Sequence, residues 1–254
     1  MKTYVITGAK RGIGAAIASK LRLQGHRVIS VDIAHADIHA DLSTPEGRLA
    51  AITAIRALAP EGLDGLIPCA GVGPQQTPAA RIARINYFGA VDLVIGLKDS
   101  LAMRRGTVLF ISSNSAWLMP YDQTFVQALL DGDEDRAAAL ANSLDGQGVY
   151  GGGKQALLRW MRREVRDYAR RGIRMNALAP GYTRTDLSAE VREDPRYREA
   201  MDDFIAGIPI GRPAEVGDQA AAAGFMLSED AAYICGSVLY VDGGHDASIR
   251  HDQC

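Results

Sequence analysis

Tyr150 and Lys154 are separated only by Gly151, Gly152 and Gly153. If a helix runs from Tyr150 through Leu157, Leu158, Met161 and Val165, the phenol and the ammonium share one helix face, one turn apart. A phenol beside a cation is suited to giving and taking a proton. A free tyrosine has a pKa of about 10, and exchange near neutral pH requires a fall of roughly 3 units, about 4 kcal/mol. A cation about 5 Å away, at an effective dielectric near 20, contributes roughly 3 kcal/mol, so Lys154 supplies most of that fall. Ser113 offers a hydroxyl that can donate to and accept from a carbonyl oxygen. Ser112 competes with it, and strand alternation lets only one of the pair face a substrate. Either hydroxyl could instead satisfy a strand end. Asn86 carries an amide that could serve chemistry, cap a helix or lie in solvent.

A second cluster lies near the N-terminus. Thr7, Gly8, Gly12 and Gly14, with Arg11 before Gly12 and Ile13 after it, follow a short apolar run and precede a helical pattern. Glycines there let backbone N–H groups approach a pyrophosphate at the helix N-terminus. The spacing Gly8-x-x-x-Gly12-x-Gly14 is not the commoner Gly-x-Gly-x-x-Gly, and any tight strand-to-helix turn can use glycine. Asp32 comes 18 residues after Gly14, near the separation of about 20 expected for an acid that binds the adenosine ribose hydroxyls. Its carboxylate would repel a 2′-phosphate, which favours NAD(H). Lys10 and Arg11 could attract that phosphate and favour NADP(H), but Asp32 would first have to be neutralised or moved. Asp41 and Leu42 are placed to contact the adenine, with a solvated loop acid as the equal alternative.

These residues need elements to hold them. Strands are expected over 4–7, 27–32, 63–69, 106–113, 173–179 and 237–241, with helical patterns between most of them. Buried strands alternating with helices imply an α/β fold, a Rossmann-type doubly wound parallel sheet covered on both faces. No repeat or Pro/Ser-rich linker divides residues 1–254, so one dinucleotide-binding and catalytic domain is expected. Two connections are long: an inserted segment at about 117–148 and a lid at about 182–213. In the insert, Trp117, Leu118, Met119, Tyr121 and Phe125 are expected to widen an apolar wall, and 131–144 to form a charged surface helix. In the lid, Leu187, Val191, Met201, Phe204, Ile205 and Ile208 recur at helical spacing, giving an apolar face that covers a pocket or packs on the core.

The composition narrows the partners. With a formal charge of −2 and dispersed Arg and Lys, the chain has no basic surface for nucleic acid. No run of 18 apolar residues and no signal-peptide core is present, so no membrane partner and a cytoplasmic location are expected. Cys69, Cys235 and Cys254 are read as free thiols, Cys69 as a small core residue and not a nucleophile. His35, His39, Asp37 and Asp41 lack a recognised ligand pattern, and no metal is expected.

Taken in order, Thr7-Gly8-x-x-x-Gly12-x-Gly14, Cys69-Ala70-Gly71, Asn86, Ser113, Tyr150-x-x-x-Lys154, Asn176 and Pro180-Gly181-x-x-x-Thr185 resemble the short-chain dehydrogenase/reductase family over nearly the whole chain. The runs Asp41-Leu42-Ser43-Thr44, Asn86-Tyr87-Phe88-Gly89 and Asp194-Pro195-Arg196-Tyr197, with the long insert, are similar to its bacterial 3α-hydroxysteroid dehydrogenase/carbonyl reductase subgroup. The resemblance implies Tyr150 as general acid/base, Lys154 holding the nicotinamide ribose, Ser113 binding the substrate oxygen and Asn86 supporting a proton relay. An oxidised nicotinamide would then supply the rest of the fall in the Tyr150 pKa. It further implies Cys69, Ala70 and Gly71 against the cofactor, and Pro180, Gly181, Tyr182, Thr183 and Thr185 around the nicotinamide carboxamide.

The activity so implied is NAD(H)-dependent interconversion of a bulky apolar secondary alcohol, such as a 3α-hydroxysteroid, and its ketone by a dimer or tetramer. The alternatives are a reductase of other small or aromatic carbonyls and a non-catalytic nucleotide-binding or scaffold protein. Two departures stand out. Pro68-Cys69 replaces the family's usual Asn-Asn, and the three glycines after Tyr150 each lower helix propensity by roughly 1 kcal/mol relative to alanine. They could admit close approach of the cofactor or of neighbouring backbone.

Overall fold

Alternation of apolar residues in short strands decides which side chains face which layer. The structure, a computed structural model, describes residues 1–252; Cys254 lies outside the described residues. Strands β1 (Thr3–Thr7), β2 (Arg27–Asp32), β3 (Ile38–His39), β4 (Gly65–Pro68), β5 (Thr107–Ile111), β6 (Arg174–Pro180) and β7 (Val238–Val241) form one sheet in the order β3-β2-β1-β4-β5-β6-β7. Every pairing is parallel, the doubly wound fold that the strand–helix alternation leads one to expect. β3 has no counterpart among the expected strands, because two residues are too few to show a period. Tyr4, Ile6, Leu109 and Ile111 pack to one face and Val5, Val108 and Phe110 to the other, so the strands are apolar on both sides.

One face is covered by α1 (Gly12–Leu23), through Ile17 and Leu21. The other carries α2 (Pro45–Leu58), capped by Thr44, whose hydroxyl accepts from Gly47 N (3.0 Å). Next comes a continuous helical run of α3 (Ala80–Ala83), a π-helical turn (Arg84–Phe88) and α4 (Gly89–Gly96). After α5 (Lys98–Arg104) and β5 the insert supplies α6 (Gln123–Leu130) and α7 (Glu134–Ala141). The long α8 (Gly146–Arg170) begins four residues before Tyr150, with the Asp145 carboxylate accepting from Gly148 N (2.8 Å). The lid consists of α9 (Asp186–Glu193) and α10 (Arg198–Ala206), followed by α11 (Val216–Leu227) beside α1 and the short α12 (His245–Ile249). No helix among the described residues is long and apolar enough to cross a membrane.

The insert departs from expectation. Tyr121 and Phe125 are buried in the core against α8 and Met119 is 46% exposed. Trp117 lies under the Arg159 guanidinium at 5.8 Å. Of the five residues expected to form an apolar wall, only Leu118 reaches the main cleft. The expected surface helix is α7, whose Ala137, Ala138 and Ala141 are buried. Arg48 of α2, 2% exposed, anchors it: its guanidinium pairs with Glu134 of α7 and, at 2.7 Å but without hydrogen-bond alignment, with Asp92 of α4. Asn176 is structural. Its amide donates to Ile234 O (2.8 Å) and accepts from Ser237 N (3.0 Å), tying β6 to the approach of β7.

Candidate active site

The chain runs outward from β1 to β3 and then crosses back to β4, so a crevice opens at the carboxyl ends of β1 and β4. A cleft of about 550 Å³ lies along this edge, and all of the catalytic and cofactor-binding positions expected from the sequence line it. Its left part is the glycine turn. Gly8 and Gly12 have φ of +66° and +60°, a region that favours glycine. A Cβ at Gly8 would stand 2.7 Å from Ala70 Cα, and one at Gly14 would overlap the Gly8 carbonyl. Arg11 precedes α1 in extended conformation without a side-chain cap, which leaves first-turn N–H groups for an anion. This cradle fits a dinucleotide pyrophosphate. The Thr7 hydroxyl accepts from Cys69 N (3.1 Å) and Ala70 N (3.0 Å), so the 69–71 segment is held although the family's asparagine is missing.

Asp32 braces the turn: Oδ2 accepts from Lys10 N (3.0 Å) and Oδ1 from Ile33 N (2.8 Å). Arg11 turns away toward the lid, its guanidinium 3.2 Å from Glu190 and 3.6 Å from Asp186 of α9. Leu42 is buried beside the cleft. Hydrogen bonding from Ser43 lowers the Asp41 pKa against the effect of burial, and Arg81, which sequence reasoning missed, lies 3.9 Å from the same carboxylate.

Ser113 sits two residues beyond β5, not at a strand end, and caps a 3-10 turn (Asn114–Trp117). Its Oγ accepts from Ser115 N (3.1 Å) and donates to Ser115 Oγ (3.1 Å). Ser112 donates instead to the Lys154 carbonyl (3.2 Å), so the two neighbours diverge as alternation requires. Burial raises the Tyr150 pKa and the hydrogen bond with Ser113 opposes it. Lys154 does not deliver the large lowering expected from a nearby cation. Its Nζ donates to Ile111 O (2.8 Å), lies 5.8 Å from the Tyr150 ring centre, and has its own pKa pushed down to about 8 by burial. Burial of the phenol itself opposes the lowering that a neighbouring cation would bring.

Asn86 lies in the π-helical turn, a distortion frequent at functional sites. Its side chain exchanges hydrogen bonds with Val72, accepting from N and donating to O at 2.9 Å each. The amide therefore fixes the 70–72 loop. Burial pushes the Cys69 thiol up to about 12, which leaves it protonated and unreactive.

At the other end, a Cβ at Gly181 would come 2.6 Å from Asp242 Cβ. Thr183 Oγ1 donates to Gly181 O (3.1 Å) and accepts from the buried Gln219 amide (3.2 Å). The Tyr182 carbonyl accepts from Ala214 N (3.0 Å). Thr185 caps α9, its hydroxyl accepting from Ser188 N (3.2 Å), so that hydroxyl is shared between the cleft and the helix end. Across the cleft, Leu187, Val191, Met201 and Phe204 line it, whereas Ile205 does not and Ile208 is buried. The lid covers the pocket with part of its apolar face and packs inward with the rest. Phe204 packs on His245 with the rings tilted by 51° and their centres 4.0 Å apart, and the buried Asn114 amide approaches both His245 Nδ1 (3.5 Å) and Asp242 Oδ2 (3.4 Å). Asn114, Ser115 and His245 were not found from the sequence, because no spacing links the 113–115 turn to the C-terminal segment.

Residues 2–126 match the family model described as short chain dehydrogenase, and residues 137–246 the one described as Enoyl-(Acyl carrier protein) reductase. The 3-alpha-hydroxysteroid dehydrogenase/carbonyl reductase of Comamonas testosteroni is 36% identical over 258 aligned residues that span 100% of both chains. The chain belongs to the short-chain dehydrogenase/reductase family. Among solved structures, the 3-alpha-hydroxysteroid dehydrogenase from Pseudomonas sp. B-0831 complexed with NADH matches with a TM-score of 0.96. It is 40% identical, with 99% of this chain and 100% of that chain covered. Coniferyl-alcohol dehydrogenase from a Pseudomonas species is 31% identical over 96% of each chain. As a member of the short-chain dehydrogenase/reductase family, the protein is an oxidoreductase.

Proposed function

We propose that the protein interconverts a bulky apolar secondary alcohol and its ketone with NAD(H), a 3α-hydroxysteroid being the first substrate to test. The observation that carries this reading is the facing of Ser113 and Tyr150 beneath the lid residues Leu187, Val191, Met201 and Phe204. The NADH complex of the relative that is 40% identical, and the position of Asp32 at the end of β2 beside the glycine turn, support NAD(H) over NADP(H).

When bound, the nicotinamide supplies or accepts the hydride and, oxidised, adds a positive charge. In ketone reduction Ser113 Oγ donates a hydrogen bond to the carbonyl oxygen, and Tyr150 Oη donates the proton. Burial keeps that phenol protonated, which suits an acid. In alcohol oxidation Tyr150 takes the hydroxyl proton, with Lys154 as the cation that supports the phenolate. The glycine turn with Arg11, Ile13 and Asp32 holds the adenosine diphosphate half of the cofactor. Asp41 and Leu42 flank its adenine, and Cys69, Ala70 and Gly71 border its middle. Pro180, Gly181, Tyr182, Thr183 and Thr185 frame the nicotinamide. Asn86 acts at one remove, by fixing the 70–72 loop. The apolar lid excludes water from the proton-transfer site.

The test is absorbance of NADH and NADPH during incubation with steroid, alicyclic and aromatic ketones. Consumption of NADH in preference to NADPH with the bulky ketones is expected, and Tyr150→Phe should lower kcat by about 10³-fold. No turnover of any ketone would sink the substrate claim, and an unimpaired Tyr150→Phe would sink the mechanism.

A further inference from the structure

The glycines that follow Tyr150 have neighbours that account for two of them. All three are buried in α8. A Cβ at Gly151 would overlap the ring and hydroxyl of Tyr121, one at Gly152 would come 3.2 Å from Phe125 Cδ1, and one at Gly153 would meet nothing within 4 Å. Within the chain itself, what approaches Gly151 and Gly152 is a pair of aromatic side chains from the insert. Tyr121 fills the place that a side chain on the residue after Tyr150 would need.

The same phenol also reaches the turn that holds Ser113. Tyr121 is 5% exposed, and its hydroxyl donates to the Ser115 carbonyl. The Ser115 N–H and hydroxyl are in turn both bonded to Ser113 Oγ. One side chain therefore bears on the backbone beside Tyr150 and on the turn that aims Ser113. Burial, followed by the neighbouring Tyr150, pushes the Tyr121 phenol up to about 12, so it stays a neutral donor across the working range of pH.

We propose that Tyr121 is a positioning residue that sets the Ser113 hydroxyl against the Tyr150 phenol, and that residue 151 is glycine because Tyr121 occupies its side-chain space. Through Tyr121 the insert thereby braces the site, while Leu118 is the one member of its expected apolar wall that lines the pocket. The inference rests on the roles given above to Ser113 and Tyr150. It concerns a residue that touches neither substrate nor cofactor, so the expected signature is a loss in kcat with cofactor affinity preserved.

Three variants test it. Tyr121→Phe keeps the ring and removes the donor: amides 113–117 should exchange hydrogen about 10-fold faster in the absence of any substrate. With a turned-over ketone, kcat should fall about 10-fold while the dissociation constant for NADH stays unchanged. Gly151→Ala favours helix formation, yet it should lower Tm and kcat, and Gly151→Ala/Tyr121→Leu should recover the Tm. Unchanged exchange in Tyr121→Phe, a harmless Gly151→Ala, or no recovery in the double variant would each overturn the inference. Exchange and melting need no substrate. A wild type that turns over no ketone would therefore defeat the proposed function while leaving these outcomes to decide on Tyr121.

Discussion

At Lys154 two requirements oppose each other. The proposed chemistry asks for a cation beside Tyr150, while burial pushes the Lys154 pKa from its ordinary value of 10.5 down to about 8. The folded pKa lies below the unfolded one, so between about pH 8 and 10.5 the unfolded chain binds more protons, and Lys154 makes stability rise with pH across that window. The unfolding free energy of the wild type should therefore gain on that of Lys154→Met by on the order of 1 kcal/mol from pH 8 to pH 10, read from urea melts. Parallel curves would show that the ammonium is better solvated than its surroundings indicate. Tyr150 and Lys154 could be read as a pair because helical spacing is a local property, whereas Ser113 was preferred to Ser112 only through the family resemblance. The balance of their charges was not legible, because desolvation depends on what β5 and α8 bury between them.

Among elements, the lid shows what a period can and cannot say. Spacing of Leu187, Val191, Met201, Phe204 and Ile208 discloses helices with an apolar face but not what that face meets. Phe204 faces the cleft because His245 lies under its ring, and His245 arrives from the far end of the chain. His245→Ala should free Phe204 and raise KM for a bulky ketone about 10-fold, with little change for a small one, since the lost contact is a pocket wall worth about 1.4 kcal/mol. Equal effects on both substrates would instead mean that the whole site had shifted. Likewise Tyr121 and Phe125 read as pocket wall only until the glycines of α8 are seen to receive them. The absence of a side chain left no periodic trace of what it was making room for.

For the whole molecule, the parallel doubly wound sheet followed from alternation of strands and helices, while the order of its strands, β3 and the docking of the insert did not. That docking depends on Arg48, which holds Asp92 and Glu134 from two different helices. Arg48→Met would leave two carboxylates facing each other. A loss of roughly 2 kcal/mol is expected, less than for a fully buried pair because the Asp92 side chain is 39% exposed. Chemical denaturation would measure it, and an unchanged midpoint would show that the insert is held by its alanines alone.

The carboxyl edge of the sheet has one more consequence. Thr7, Asp32, Pro68, Ile111 and Pro180 end five strands that are scattered through the sequence yet finish side by side. A dinucleotide lying along that edge has no counterpart to grip in the unfolded chain. By mass action it acts as a fastener on the native state, worth about 2.7 kcal/mol at a hundred times its dissociation constant. The cellular lifetime of the protein is in this way tied to the nucleotide pool that it draws on.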